Sequence, residues 1–103
     1  DSEDGETIIA INQFLAQHYL DTNDTNKAAQ YLQLNAAYQE HPTVKQKIIQ
    51  AEILIRKGQS KKAVQVLSQA KIQAGEHWFE EHEALLQRAA QTGSITPSDT
   101  HFQ

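Results

Sequence analysis

The feature that most narrows what this chain can fold into is a glycine-centred break, Gly58-Gln59-Ser60, set between two apolar segments of helical periodicity. On one side Ile48, Ile49, Ala51, Leu54 and Ile55 recur at three- and four-residue steps; on the other Ala63, Val66, Leu67 and Ala70 do the same. Residues spaced in this way share one face of a helix. So short a break makes the two helices antiparallel neighbours. Ala51, Ala63 and Ala70 are small enough to let the backbones approach closely, while Leu54 and Leu67 fill the space between them. The expected centre of the molecule is a tight helical hairpin.

The same periodicity runs through most of the chain. Thr7 to Leu20 places Ile8, Ile11, Leu15 and Tyr19 on one stripe with Phe14 beside it, behind an acidic lead that suits a helix N-terminus. The run Asp21-Thr22-Asn23-Asp24-Thr25-Asn26 is dense in side chains that compete for backbone groups, which predicts a turn that caps the next helix. That helix, from about Asn26 to Gln39, carries Ala28, Tyr31, Leu32, Ala36 and Tyr38. Pro42 ends it by restricting His41 and is expected in the first turn of the third helix. Ser60 is the expected cap of the fourth helix and Gly75 its stop. A fifth helix, from about Glu76 to Gln91, carries Trp78, His82, Leu85 and Ala89 on one stripe with Phe79 and Leu86 alongside. No strand alternation occurs over a useful length. The reading is an all-α chain of about five helices: an acidic lead over 1–6, one helical domain over 7–92 and a flexible, Pro-containing tail over 93–103.

Composition removes several classes of activity. The 103 residues suffice for one domain with one modest core. With no Cys, disulfides, zinc–thiolate sites and thiol catalysis are excluded. No apolar run approaches the roughly 20 residues of a bilayer span. The chain has no Met and opens on Asp1-Ser2-Glu3-Asp4, which reads as a piece of a longer protein. Charge is layered along the chain, −6 over residues 1–40, +6 over 41–75 and −4 over 76–103. Acidic segments on both sides of the basic one argue against a nucleic-acid partner, since they repel phosphate within a Debye length of about 8 Å.

Catalytic and metal chemistry find no support in the residue patterns. His77 and His82 are five apart and fall on different helix faces, whereas helical zinc motifs use a spacing of four. There is no glycine-rich phosphate loop, nucleophile elbow or Ser-His-Asp pattern. The expectation is a non-enzyme with no catalytic residue, metal or cofactor.

What remains is an internal repeat. Ala16, Tyr19, Asn23, Ala28 and Leu32 correspond to Ala51, Leu54, Gly58, Ala63 and Leu67, each at an offset of 35. This period, with two helices per unit, resembles the tetratricopeptide repeat family. Leu15-Ala16-Gln17-His18-Tyr19 matches the family's first-helix signature, and Gly58-Gln59-Ser60-Lys61-Lys62-Ala63 its inter-helix turn. The resemblance covers Thr7 to Gly75, as repeats 7–40 and 42–75, with 76–92 a capping or half-repeat helix. Asn12 and Lys47 depart from it where an early aromatic is usual, Gln50 where Leu is usual, and Asn35 where a small apolar residue is usual.

The resemblance implies a scaffold that binds a peptide or a protein surface in the groove lined by successive first helices. Carried over position by position, the groove set is Gln13, Gln17, Leu20, Lys45, Ile48, Glu52 and Arg56. Gln13 and Gln17 stand where chaperone-tail binders need Lys and Asn, so a hydrogen-bonded, partly apolar extended peptide fits better. The expected context is a larger bacterial protein; the alternative is a self-assembly or regulatory domain of a transcription regulator or envelope-assembly factor. An association surface, Trp78, Phe79, Leu85 and Leu86, is expected on the fifth helix, able to join two copies or to be covered by the tail through Ile95 and Phe102.

Overall fold

A computed structural model describes residues 2–94, with side chains over 5–91. Five α-helices follow one another: α1 Ser2–Asp21, α2 Thr25–Leu34 prolonged by a 3-10 turn Asn35–Ala37, α3 Val44–Arg56, α4 Ser60–Ala74 followed by a 3-10 turn Gly75–His77, and α5 Glu80–Ser94. No strand occurs among the described residues, and the fold is all-α. The segment 1–6, expected as a separate lead, belongs to α1 from Ser2 onward. Gly93 and Ser94 likewise continue α5 rather than starting a tail, and Ile95 and Phe102 lie outside the described residues.

The two hairpins close with the same hydrogen bonds in the same register. Asn23 takes a positive φ of 66° and donates to the Leu20 carbonyl at 3.1 Å, and Asp24 donates to Tyr19 at 2.7 Å. Thirty-five positions later Gly58, at φ 78°, donates to Ile55 at 3.0 Å, and Gln59 donates to Leu54 at 2.8 Å. Asn and Gly are the residues that enter left-handed backbone at least cost, so each unit ends its first helix with one of them.

Shared register also explains where the expected caps moved. Asp24 caps α2, its carboxylate accepting from Lys27 N–H at 3.2 Å. The equivalent position is Gln59, not Ser60, and Gln59 makes no side-chain cap. Ser60 is instead the first residue of α4, with its hydroxyl buried and without a protein partner. Thr43 caps α3 through Gln46 N–H at 3.2 Å, which leaves Pro42 one residue outside the cap rather than in the first turn.

Packing falls into two clusters, each where a hairpin meets the next first helix. Ala16, Leu20, Ala28, Ile49 and Ile53 join α1, α2 and α3, with Tyr31 stacked on Tyr19 at 5.5 Å beside them. Ala51, Ala63, Leu67, Leu85 and Ala89 join α3, α4 and α5. Polar ties cross between the hairpins. Arg56, in the last turn of α3, donates to the Leu20 carbonyl at 2.8 Å, as a second donor beside Asn23 N–H, and to Asn23 Oδ1 at 3.2 Å. Within the first hairpin, Asn12 donates to Asn35 Oδ1 at 3.0 Å, and Asn35 donates to the Ile9 carbonyl at 3.2 Å, both side chains being buried. The two asparagines, which interrupt the apolar pattern of the sequence, are thus partners of one another.

Ala63 has no exposed surface where α4 meets α3 and α5. Ala63→Leu is expected to destabilise the chain by about 1–3 kcal/mol through overpacking. Denaturant unfolding measures this, and an unchanged midpoint would overturn the proposed crossing. Conversely, Gln59→Asp should stabilise by about 1 kcal/mol, because Gln59 and Asp24 have similar backbone angles (φ −108°, ψ 53° and φ −99°, ψ 75°) and only Asp24 caps.

Candidate functional site

The first helices α1, α3 and α5 together line an open cavity of about 590 Å³. α1 contributes Gln17, and α3 contributes Lys45, Ile48, Ile49 and Glu52. From α5 come Glu81, His82, Ala84, Leu85 and Arg88. Glu81, Ala84, Leu85 and Arg88 are the counterparts of Lys45, Ile48, Ile49 and Glu52 at an offset of 36. The floor is aliphatic, from Ile48, Ala84 and Leu85. Its walls are charged with opposite sign at matching positions, Lys45 against Glu81 and Glu52 against Arg88, so the lining side chains balance and impose no net charge on an occupant. Gln17 is held in place by donating to Asp21 Oδ1 at 2.8 Å, one helical turn on.

Of the residues that the sequence assigns to the groove, Gln17, Lys45, Ile48 and Glu52 come together here. The other three go elsewhere. Leu20 is a correction: it is fully buried in the first core cluster and presents nothing to a partner, because at this point α1 turns that face toward α2 and α3. Arg56 is spent on Leu20 and Asn23, and Gln13 accepts from Thr43 Oγ1 at 3.4 Å.

The whole α5 wall was missed. The signal that finds it is the correspondence of Leu85 and Ala89 with Ile49 and Ile53, which makes α5 the first helix of a third unit. The association set is redistributed for the same reason. Leu85 is buried between α3 and α4, and Trp78 and Leu86 are half-buried against the same cluster. Phe79 alone remains well exposed, at 55%. Trp78 and Phe79 also precede α5 rather than belonging to it. Gly75, at φ 59°, ends α4, and α5 starts only after Phe79, whose N–H donates back to His82 Nδ1 at 3.3 Å.

Glu83 fixes α5 against α4. Its Oε1 accepts from Trp78 Nε1 at 2.8 Å and lies 2.9 Å from Lys71 Nζ, and its Oε2 accepts from Gln87 Nε2 at 2.9 Å. These bonds from Gln87, Lys71 and Trp78 favour the ionised carboxylate and hold its pKa at about 2 instead of the ordinary 4.5.

No protein-family model, curated protein or solved structure matches the chain. Among the described residues no group of three or more His, Cys, Asp or Glu could hold a metal ion, and no helix is long and apolar enough to cross a membrane. A second cavity, of about 430 Å³, opens on another face of α3 toward α2, with Leu32, Asn35, Gln46 and Ile53 in its walls. Gln46 accepts there from Gln39, while its own Nε2 is buried without a protein partner.

Because the folded-state pKa of Glu83 is depressed, its contribution to stability is complete above about pH 4.5 and is lost as the pH falls toward 2. Glu83→Gln should therefore lower the melting temperature at pH 7 and show a smaller further loss between pH 4.5 and 2.5 than the parent chain. Equal pH slopes for the two proteins would remove Glu83 as the anchor of α5.

Proposed function

We propose that this chain is a protein-interaction module of tetratricopeptide-like build, which holds an extended peptide segment of a partner in the groove across α1, α3 and α5. The observation that carries this reading is the groove itself. Equivalent positions on α3 and α5, together with Gln17 of α1, line one continuous cavity whose walls are set by the packed hairpins behind them. The 35-residue correspondence of the two turns, down to their backbone hydrogen bonds, supports the assignment to a stacked-hairpin scaffold.

The chemistry of the groove specifies its ligand in outline. Balanced charge on the walls gives no advantage to a strongly acidic or basic segment and steers neither toward the site. The aliphatic floor takes an apolar side chain, and the flanking Lys45, Glu52 and Glu81 offer hydrogen bonds to the backbone of an extended chain on either side of it. A near-neutral peptide with one or two aliphatic residues amid polar ones is the matching ligand.

Selection from a random peptide library against the whole chain supplies such a ligand, and titration calorimetry measures it. Ala84→Asp combined with Glu52→Lys should reduce affinity at least tenfold, which is about 1.4 kcal/mol, with the melting temperature unchanged within a few degrees, because Ala84 lines the groove but is exposed and lies outside both core clusters. Selected peptides that bind the double variant as well as the parent chain would place the working surface elsewhere.

A further inference from the structure

Three first helices carry equivalent leading positions, and one set of the three is bare. Ile11, Phe14 and His18 on α1 correspond, at an offset of 35, to Gln46, Ile49 and Ile53 on α3. These in turn correspond, at an offset of 36, to His82, Leu85 and Ala89 on α5. On α3 the three are 2%, 0% and 5% exposed, the two isoleucines sharing a cluster with Ala28 and Leu32 of α2. On α5, Leu85 and Ala89 are buried with Ala63 and Leu67 of α4. On α1, Ile11 is 51% and Phe14 71% exposed, and His18 is exposed beside them.

The molecule shows twice what covers such a face. Both covering helices present an Ala and, four residues later, a Leu: Ala28 and Leu32 on α2, Ala63 and Leu67 on α4. The alanine lets the axes approach, and the leucine fills the space beside the leading residues of the first helix. The margins of the α1 face add a charge requirement. Asp21 is exposed beside its C-terminal end, and α1 contains no Lys or Arg.

We infer that the Ile11–Phe14–His18 face of α1 is a docking surface for an amphipathic helix of a partner protein, one that presents Ala-x-x-x-Leu toward α1 and carries basic residues at its edges. A second copy of this chain cannot supply that helix in the same way, since Ala28, Ala63 and Leu67 are each fully buried within their own molecule. The surface is separate from the groove, and neither assignment depends on the other.

The segment 59–75 has the required chemistry, with Ala63, Leu67, three lysines and no acidic residue, so a synthetic peptide of that sequence serves as the probe. Titrated into the isotopically labelled whole chain, it should shift the resonances of Ile11, Phe14 and His18. The shifts should weaken as salt is raised from 50 to about 500 mM, as expected of a screened charge contribution. Phe14→Asp, at a site too exposed to disturb the core, should abolish them, as should Leu67→Asp in the peptide. Absence of shifts on α1 would overturn the inference. So would shifts at Leu85 and Ala89 instead, which mean exchange with the chain's own α4. α1 resonances that move on dilution without peptide would overturn it in favour of a second copy.

Discussion

Close approach of helix backbones over alanine is the constraint on which everything else here rests. Ala16, Ala28, Ala51, Ala63, Ala70 and Ala89 have no exposed surface, and all but Ala70 sit in the two clusters where three helices meet. A small residue at each crossing brings the axes near enough for Leu20, Ile49 and Leu67 to be covered on all sides by neighbours from two hairpins. A methylene more at any of these positions meets packed atoms, because protein interiors leave no slack for it. Apart from α1 the helices have 10 to 15 residues, and helices of this length gain most of their stability from such packing rather than from intrinsic propensity.

Apolar contacts alone leave the hairpins free to slide by a turn, and the polar ties between them set the register. Asn12 reaches Asn35 Oδ1, and Asn35 reaches the Ile9 carbonyl, only when α1 and the end of α2 are in one alignment, and a slip leaves two buried amides unpaired. Arg56 does the same between hairpins by reaching the last turn of α1, and Glu83 does so between α4 and α5. Each tie joins elements separated by a turn or a whole unit. The groove inherits its shape from all three, since its walls stand on α1, α3 and α5.

This arrangement also separates two kinds of surface on the same helices. On α3, Lys45, Ile48 and Glu52 line the groove, while Gln46, Ile49 and Ile53 are buried, the two isoleucines against the preceding hairpin and Ile49 with an edge on the groove as well. Packing between units consumes the second set and leaves the first at least partly exposed, so the cavity is a by-product of stacking. The exception is α1, where the second set is exposed as well.

The sequence by itself determined the number of helices, their pairing into hairpins and the places where the chain turns. Those follow from local physics: periodicity of apolar residues, and the left-handed backbone that Asn23, Gly58 and Gly75 adopt at least cost. Gln17, Lys45, Ile48 and Glu52, grouped in the sequence by the resemblance to the repeat family, line one cavity in the structure. Tertiary structure decided the rest. A helical stripe says which residues share a face but not which neighbour covers it, so Leu20 went to the core and Leu85 was covered by α3 and α4. Asn12 and Asn35, read singly as polar intrusions, became a satisfied pair only when residues 23 positions apart were brought together. The α5 wall of the groove was settled at the same level, because it exists only once the third first helix packs beside the second.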